Sequence, residues 1–271
     1  MWRGRLPTPL FYFGVRYVVG MADIVWQPPP ATIALSLAEL HLWRVNLHRS
    51  PTELKILQRF LSSDEIDRAE RFRQPQQQQR FIAGRGILRS LLGRYLACDP
   101  AQLNFQYGSQ GKPYLAHTEL QFNLAHSQNW GVYAMVRAQP IGVDLEQIRP
   151  IDALDRLLAR FFTDQERTRI LALPLEQQPA AFVKLWTARE AILKATGKGL
   201  AGLSQTQMTD RTAWDGTAIV SEAKPGIEPT QWQYFYFIPW DGYWGSVAVQ
   251  AGIDRQIGWD WDGKIFAGTI G

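Results

Sequence analysis

Three acids and an amine in the second half of the chain have the types and spacing for phosphate chemistry. Asp144 and Glu146 stand two apart in IGVDLE, Ile141 to Glu146, and Glu190 and Lys194 stand four apart in FVKLWTAREAILKATGKGL, Phe182 to Leu200. Residues two apart share a strand face, so both carboxylates of the first run point one way while Ile141, Val143 and Leu145 point into a core. Residues four apart share a helix face, which sets Trp186, Glu190 and Lys194 in one column. Side-by-side carboxylates repel unless a cation lies between them, and Mg²⁺ is usually bound by one or two carboxylates with water and substrate phosphates. The combination pictures Mg²⁺ held by Asp144, Glu146 and Glu190 and closed by a pyrophosphate, with basic side chains carrying the remaining phosphate charge. Gly108, Gly111 and Pro113 make a turn-rich loop that presents Lys112, and His126 stands beside Ser127 at a strand end where a phosphate can be held. Alone, each motif has a plainer reading. A Glu to Lys pair at spacing four is commonly a solvated pair worth about 0.2–0.5 kcal/mol, an isolated Asp-x-Glu an exposed strand edge, and a lone histidine a structural residue.

Periodicity supplies the elements that must position these groups. Leu40 to Val45 alternates as a first strand, Pro51 to Phe72 and Gln78 to Leu96 are helical, and Leu120 to Leu124 and Trp130 to Val136 read as strands. Gly84 and Gly86 allow close backbone approach in the second helical segment. After Gln139-Pro140 the order recurs: Asp152 to Leu173 and Gln177 to Ala195 are helical, and Gln231 to Ile238 with Tyr243 to Gln250 close as a hairpin around Pro239 to Gly242. Gly197 and Gly199 end the helix that carries Glu190.

A chain of 271 residues with 46% hydrophobic and 20% charged content can bury a sizeable core. Its single cysteine, Cys98, excludes an internal disulfide and a cysteine zinc cluster, and four histidines are few for a histidine-rich metal site. The formal charge of +4 suits an anionic ligand or acidic partner better than a nucleic-acid coat. That charge is concentrated, because seven arginines and one acid, Glu70, fall between Arg68 and Arg94. Residues 1–20 show no small-residue cleavage site, and no run reaches the roughly 18 apolar residues of a membrane span. A cytoplasmic protein is expected, with residues 1–30 as a tail and Met21 as an alternative start.

In this order and spacing, GKPYL, FNLAHS, IGVDLE and FVKLWTAREAILKATGKGL, with RFFTDQE at Arg160 to Glu166, resemble the 4′-phosphopantetheinyl transferases of the surfactin-synthetase (Sfp) type. The resemblance runs from about Arg68 to Leu203. It implies an α+β fold of two similar halves related by a pseudo-two-fold, each a small, mostly antiparallel sheet with packed helices, with coenzyme A in the cleft between them. The halves would be residues 31–139 and 140–251, followed by a tail at 252–271. By the resemblance, Asp144, Glu146 and Glu190 are the Mg²⁺ ligands and Lys194 contacts the phosphate at the reacting end. Lys112, with Gly111 beside it, and His126 hold the adenosine 3′-phosphate end, and Arg68 and Arg80 make basic contacts to the cofactor. The implied reaction moves phosphopantetheine from coenzyme A to a serine of an apo acyl, peptidyl or polyketide carrier protein, with release of adenosine 3′,5′-bisphosphate. The expected enzyme is a monomer that binds neither nucleic acid nor membrane. Glu190 is the candidate base for the serine, which is a poor nucleophile at neutral pH. Two positions depart from the family pattern: Ala125 replaces a common serine, and Arg189 replaces the usual lysine before the glutamate. Two other readings stay open on the residues alone, a Mg²⁺-dependent phosphohydrolase of coenzyme A or a nucleotide, and a non-catalytic binding module.

Overall fold

The computed structural model describes residues 24–199, 202, 206–210, 215–220, 229–250, 252–261 and 263. Met21 and the rest of residues 1–23, together with Leu200, Leu203 and residues 264–271, lie outside the described residues. The first half contains β1 (Trp26–Gln27), β2 (Glu39–Asn46), α1 (Pro51–Gln58), α2 (Ser63–Glu70) and α3 (Pro75–Leu96). A 3₁₀ turn at Pro100–Gln102 leads to β3 (Phe105–Tyr107), β4 (Pro113–Leu115), β5 (Leu120–Ser127) and β6 (Trp130–Arg137). The second half repeats strand, helices and strands: β7 (Ile141–Gln147), α4 (Leu154–Phe161), α5 (Asp164–Leu171), α6 (Gln178–Thr196), then β8 (Thr206–Asp210), β9 (Asp215–Val220), β10 (Thr230–Phe237) and β11 (Tyr243–Val249). A last strand, β12 (Arg255–Asp260), follows.

One sheet has the order β1-β12-β2-β6-β5 and the other β7-β11-β10-β9-β8, while β3 and β4 form a separate two-stranded ribbon. The second sheet is antiparallel throughout, and the first is antiparallel except where β12 runs parallel to β1 and β2. Strand alternation sorts the apolar side chains between layers. Trp43, Phe122, Tyr133 and Met135 turn to Ile87, Leu88 and Leu91 of α3, while Leu42, Val132 and Ala134 turn the other way and meet Ile141, Val143, Leu145 and Val247 between the sheets. On the far side, Ala188, Ala191 and Ile192 of α6 pack on Trp232, Tyr234 and Ala248. The result is α+β, two similar halves each with one long helix, in the layer order helix, sheet, sheet, helix.

Three expectations need correction. The helical stretch from Pro51 to Phe72 is two helices, because Glu65 turns back to accept a hydrogen bond from the Ser62 N–H (3.2 Å) and starts α2 afresh. The stretch from Asp152 to Leu173 divides in the same way at Thr163, whose N–H donates to Glu166 at 2.8 Å and whose Oγ1 accepts from the Glu166 N–H at 3.3 Å. Residues 252–271, read as a tail, supply β12, which seats Ile257 and Trp259 in the core under α3. The run Arg255 to Asp260 alternates too weakly for periodicity to separate it from loop.

Candidate active site

The site forms where α6 lies on β7. Gly142 makes that approach possible, since a Cβ there would stand 2.0 Å from Ala191 O and 2.4 Å from Ala195 N. With the helix this close, Lys194 Nζ donates to Asp144 Oδ1 at 2.7 Å and to Val143 O at 3.1 Å. Asp144 is buried, and its second oxygen, Oδ2, accepts no hydrogen bond. Glu146 is half-buried and accepts from Ser127 Oγ at 3.1 Å, and Ser127 Oγ in turn accepts from the Gln147 N–H at 3.2 Å. Burial, and then the charge of Asp144, hold the carboxyls of Glu146 and Glu190 above the usual range. The alternation across Ile141 to Glu146 is as read from the sequence, with the acids on the α6 side and the aliphatic residues between the sheets.

The two sheets meet at their edge strands β5 and β7, where the Val143 N–H donates to Asn123 Oδ1 at 2.8 Å. This seam brings His126 of β5 into the field of Lys194, Arg80 and Asp144. Partial enclosure, and then the positive charges of Lys194 and Arg80, hold the His126 pKa below its ordinary value. Arg80 of α3 is oriented by Asn129, whose Oδ1 accepts from Nε at 2.9 Å. Lys112 reaches the same place from the β3–β4 loop, where Gly111 takes a positive φ of 75° and its N–H donates to Gly108 O at 2.8 Å. The Lys112 ammonium bonds Ile141 O at 2.5 Å and Lys194 O at 2.9 Å, and burial followed by the Lys194 charge lowers its pKa to about 8.

Asp144, Glu146, Glu190, Lys194, Lys112, His126 and Arg80 therefore share one neighbourhood. Arg68 belongs to a second group. It lines a cavity of about 570 Å³ with Asp64, Asp67, Arg71 and Phe72, and its guanidinium lies 5.3 Å from the Phe81 ring. Beside it is Arg85, a cation that sequence reasoning did not single out. Arg85 is buried against Phe81, Phe105 and Tyr107, and its Nη1 has no hydrogen-bond partner. Ser127 and Asn123 were likewise missed as partners of β7, although both share a face of β5 with Ala125. The two departures from the family pattern are resolved structurally. Ala125 packs in the core between the sheets. Arg189 turns away from the acids, donates to both oxygens of Glu166 at 2.8 and 2.7 Å, and stacks 4.4 Å from the Phe162 ring.

In donor chemistry the acids suit a hard cation: all offer oxygen, one buried carboxylate oxygen lacks a partner, and two neighbouring carboxyls are held above their usual range. Among the described residues, however, no three His, Cys, Asp or Glu side chains stand as a ready-made ion site, and with no ion bound Lys194 occupies one Asp144 oxygen. Nor is any described helix long and apolar enough to cross a membrane.

Residues 46–138 match the family described as 4′-phosphopantetheinyl transferase, N-terminal, and residues 140–248 match the 4′-phosphopantetheinyl transferase superfamily. The 4′-phosphopantetheinyl transferase HetI of Nostoc sp. is 41% identical over 233 residues, covering 84% of this chain and 95% of that protein. The 4′-phosphopantetheinyl transferase psf-1 of Bacillus pumilus is 36% identical over 61% of this chain and 70% of its own length. For Sfp of Bacillus subtilis the identity is 31% over 52% of this chain and 62% of its own. With matches that run from Asn46 to Ala248 and a relative aligned along nearly its whole length, the chain belongs to the 4′-phosphopantetheinyl transferases, enzymes that move the phosphopantetheine arm of coenzyme A to a carrier-protein serine.

Proposed function

We propose that this chain is a transferase of the Sfp type that converts apo acyl, peptidyl or polyketide carrier proteins to their holo forms, acting as a cytoplasmic monomer with Mg²⁺. The observation that carries the proposal is the pair of buried Asp144 with half-buried Lys194, flanked by two glutamates held above their usual range, at the seam between the halves. Asp144, Glu146 and Glu190 would hold Mg²⁺, which when bound supplies positive charge against the pyrophosphate oxygens. Glu190, raised by burial, is the base that takes the proton of the carrier serine. The serine oxygen forms its bond to the phosphorus that bears pantetheine as the bond to the adenosine-bearing phosphate breaks. Lys194 offers its ammonium to the oxygen that gains charge in that step. His126 and Arg80 receive the 3′-phosphate, with Arg68 and Arg85 as cations beside the β3–β4 ribbon.

Intact mass of an apo acyl carrier protein incubated with the enzyme, coenzyme A and Mg²⁺ tests the proposal. A gain of about 340 Da on one serine, abolished by chelator, is the expected result. Consumption of coenzyme A with no gain on any carrier would instead identify a hydrolase. Nucleic acid and membranes have no part in this reaction, and neither should change its rate.

A further inference from the structure

We propose that Ser127 is a positioning residue, through which the first half of the protein sets the carboxylate of Glu146. A serine hydroxyl has one proton to give, and the bond that its oxygen accepts decides where that proton points. Ser127 Oγ accepts from the Gln147 N–H at 3.2 Å, which leaves its proton for Glu146 Oε2 at 3.1 Å. Both carboxylate oxygens keep further lone pairs, so this bond does not use up the acid. Val143 and Gln147 stand four apart on β7, so their N–H groups leave the same edge of that strand. Asn123 Oδ1 takes the first at 2.8 Å and Ser127 Oγ the second, and these two residues are themselves four apart on β5. The two bonds bracket Asp144 to Glu146, and the downstream one continues to a carboxylate. The hairpin that carries Ser127 is itself fixed. Ser127 pairs with Trp130 across the two-residue turn Gln128-Asn129, in which Gln128 takes a positive φ of 54°. Asn129 accepts from Arg80 Nε at 2.9 Å through its side chain and from the Leu47 N–H at 2.7 Å through its carbonyl. Trp130 stacks on Trp240 of the second half, with ring centroids 4.2 Å apart. A glutamate side chain otherwise samples many rotamers, and ordering it beforehand lowers the cost of binding a ligand.

The inference rests on carrier-protein transfer with Mg²⁺ as the activity, and on Glu146 as one of the residues that would hold the cation. In the carrier-modification assay with Mg²⁺ varied, Ser127→Ala raises the half-activating Mg²⁺ concentration about tenfold, because it frees a ligand that the hydroxyl held in place. At saturating Mg²⁺ the KM for coenzyme A stays within about threefold. Ser127→Thr, which keeps the hydroxyl, brings the Mg²⁺ requirement back to within about threefold of the wild type. In the protein without metal, coenzyme A or carrier, amide hydrogen exchange in Ser127→Ala is faster at Gln147 and unchanged at Val143, whose partner Asn123 is intact. Loss of folded protein alone would lower the rate at every Mg²⁺ concentration without moving the half-activating value. An unchanged Mg²⁺ requirement or unchanged exchange at Gln147 would overturn the proposal. A raised KM for coenzyme A at an unchanged Mg²⁺ requirement would overturn it too, and make Ser127 a cofactor contact. If Ser127→Ala does not fold, Ser127→Cys, whose thiol is a weak donor, carries the same comparison. A wild-type protein that modifies no carrier at any Mg²⁺ concentration fails at the activity itself, before any variant is compared.

Discussion

At the scale of single residues, the site gathers three carboxyl side chains, and the Lys194 ammonium offsets part of their charge at Asp144. On the proposed mechanism, Glu190→Gln removes the base while keeping shape and burial, so transfer falls by about 10²-fold or more with the melting temperature nearly unchanged. Steady-state transfer and a thermal melt check this together, and full turnover in the variant would remove Glu190 from the mechanism. A second residue makes stability depend on pH. His41 is buried and shares a hydrogen bond at Nδ1 with Tyr95 Oη (2.7 Å), which accepts from Trp43 Nε1 (2.9 Å). Burial lowers its pKa to about 4 from an ordinary 6.5. Between those values the unfolded chain takes up a proton that the folded one refuses, so stability present above pH 6.5 is lost as pH falls toward 4. The loss at pH 5 is about 2 kcal/mol, and urea denaturation at pH 7.5 and 5 should show it in the wild type and not in His41→Asn. The acids of the site were legible because period two and period four are local properties. Arg89 was not. Counted among the clustered arginines between Arg68 and Arg94, it is buried against Glu65 at 2.7 Å and donates to Pro100 O and Leu103 O, partners 24, 11 and 14 residues away that helix periodicity does not relate to it.

At the scale of elements, the distance between α6 and β7 decides whether the acids and Lys194 meet. Gly142→Ala forces those elements apart and costs about 1–3 kcal/mol or more, with transfer lost as Lys194 leaves Asp144. Gly84 and Gly86 of α3 give an internal contrast. A Cβ on Gly86 would sit 2.6 Å from Leu57 Cβ of α1, whereas one on Gly84 meets only Tyr133 Oη at 3.9 Å. Gly86→Ala should therefore lower the melting temperature, and Gly84→Ala should raise stability by up to about 1 kcal/mol through helix propensity. Sequence patterning located α3, α6 and the β10–β11 hairpin well because each is long and periodic. It merged α1 with α2 and α4 with α5 because the polar residues that divide them, Ser62 with Glu65 and Thr163 with Glu166, are compatible with helix until the capping bonds are seen.

At the scale of the whole molecule, the halves are tied at points remote from the reaction. Arg44 of β2 pairs with Asp260 of β12 at 2.5 Å, donates to Pro239 O between β10 and β11 at 2.5 Å, and lies 5.0 Å from the Trp26 ring and 5.8 Å from that of Trp240. Truncation after Gln250 removes β12, bares the edge of β2 and part of the core under α3, and should give an aggregating chain with no cooperative melt, measured by scattering during thermal denaturation. A soluble, cooperatively melting truncation would show that β12 is dispensable. The parallel place of β12 beside β2 also fixes an order of events in the cell. The first sheet is begun by residues that leave the ribosome early and completed by a strand that leaves it after every other described element. A nascent chain must hold an unfinished sheet edge until β12 has emerged.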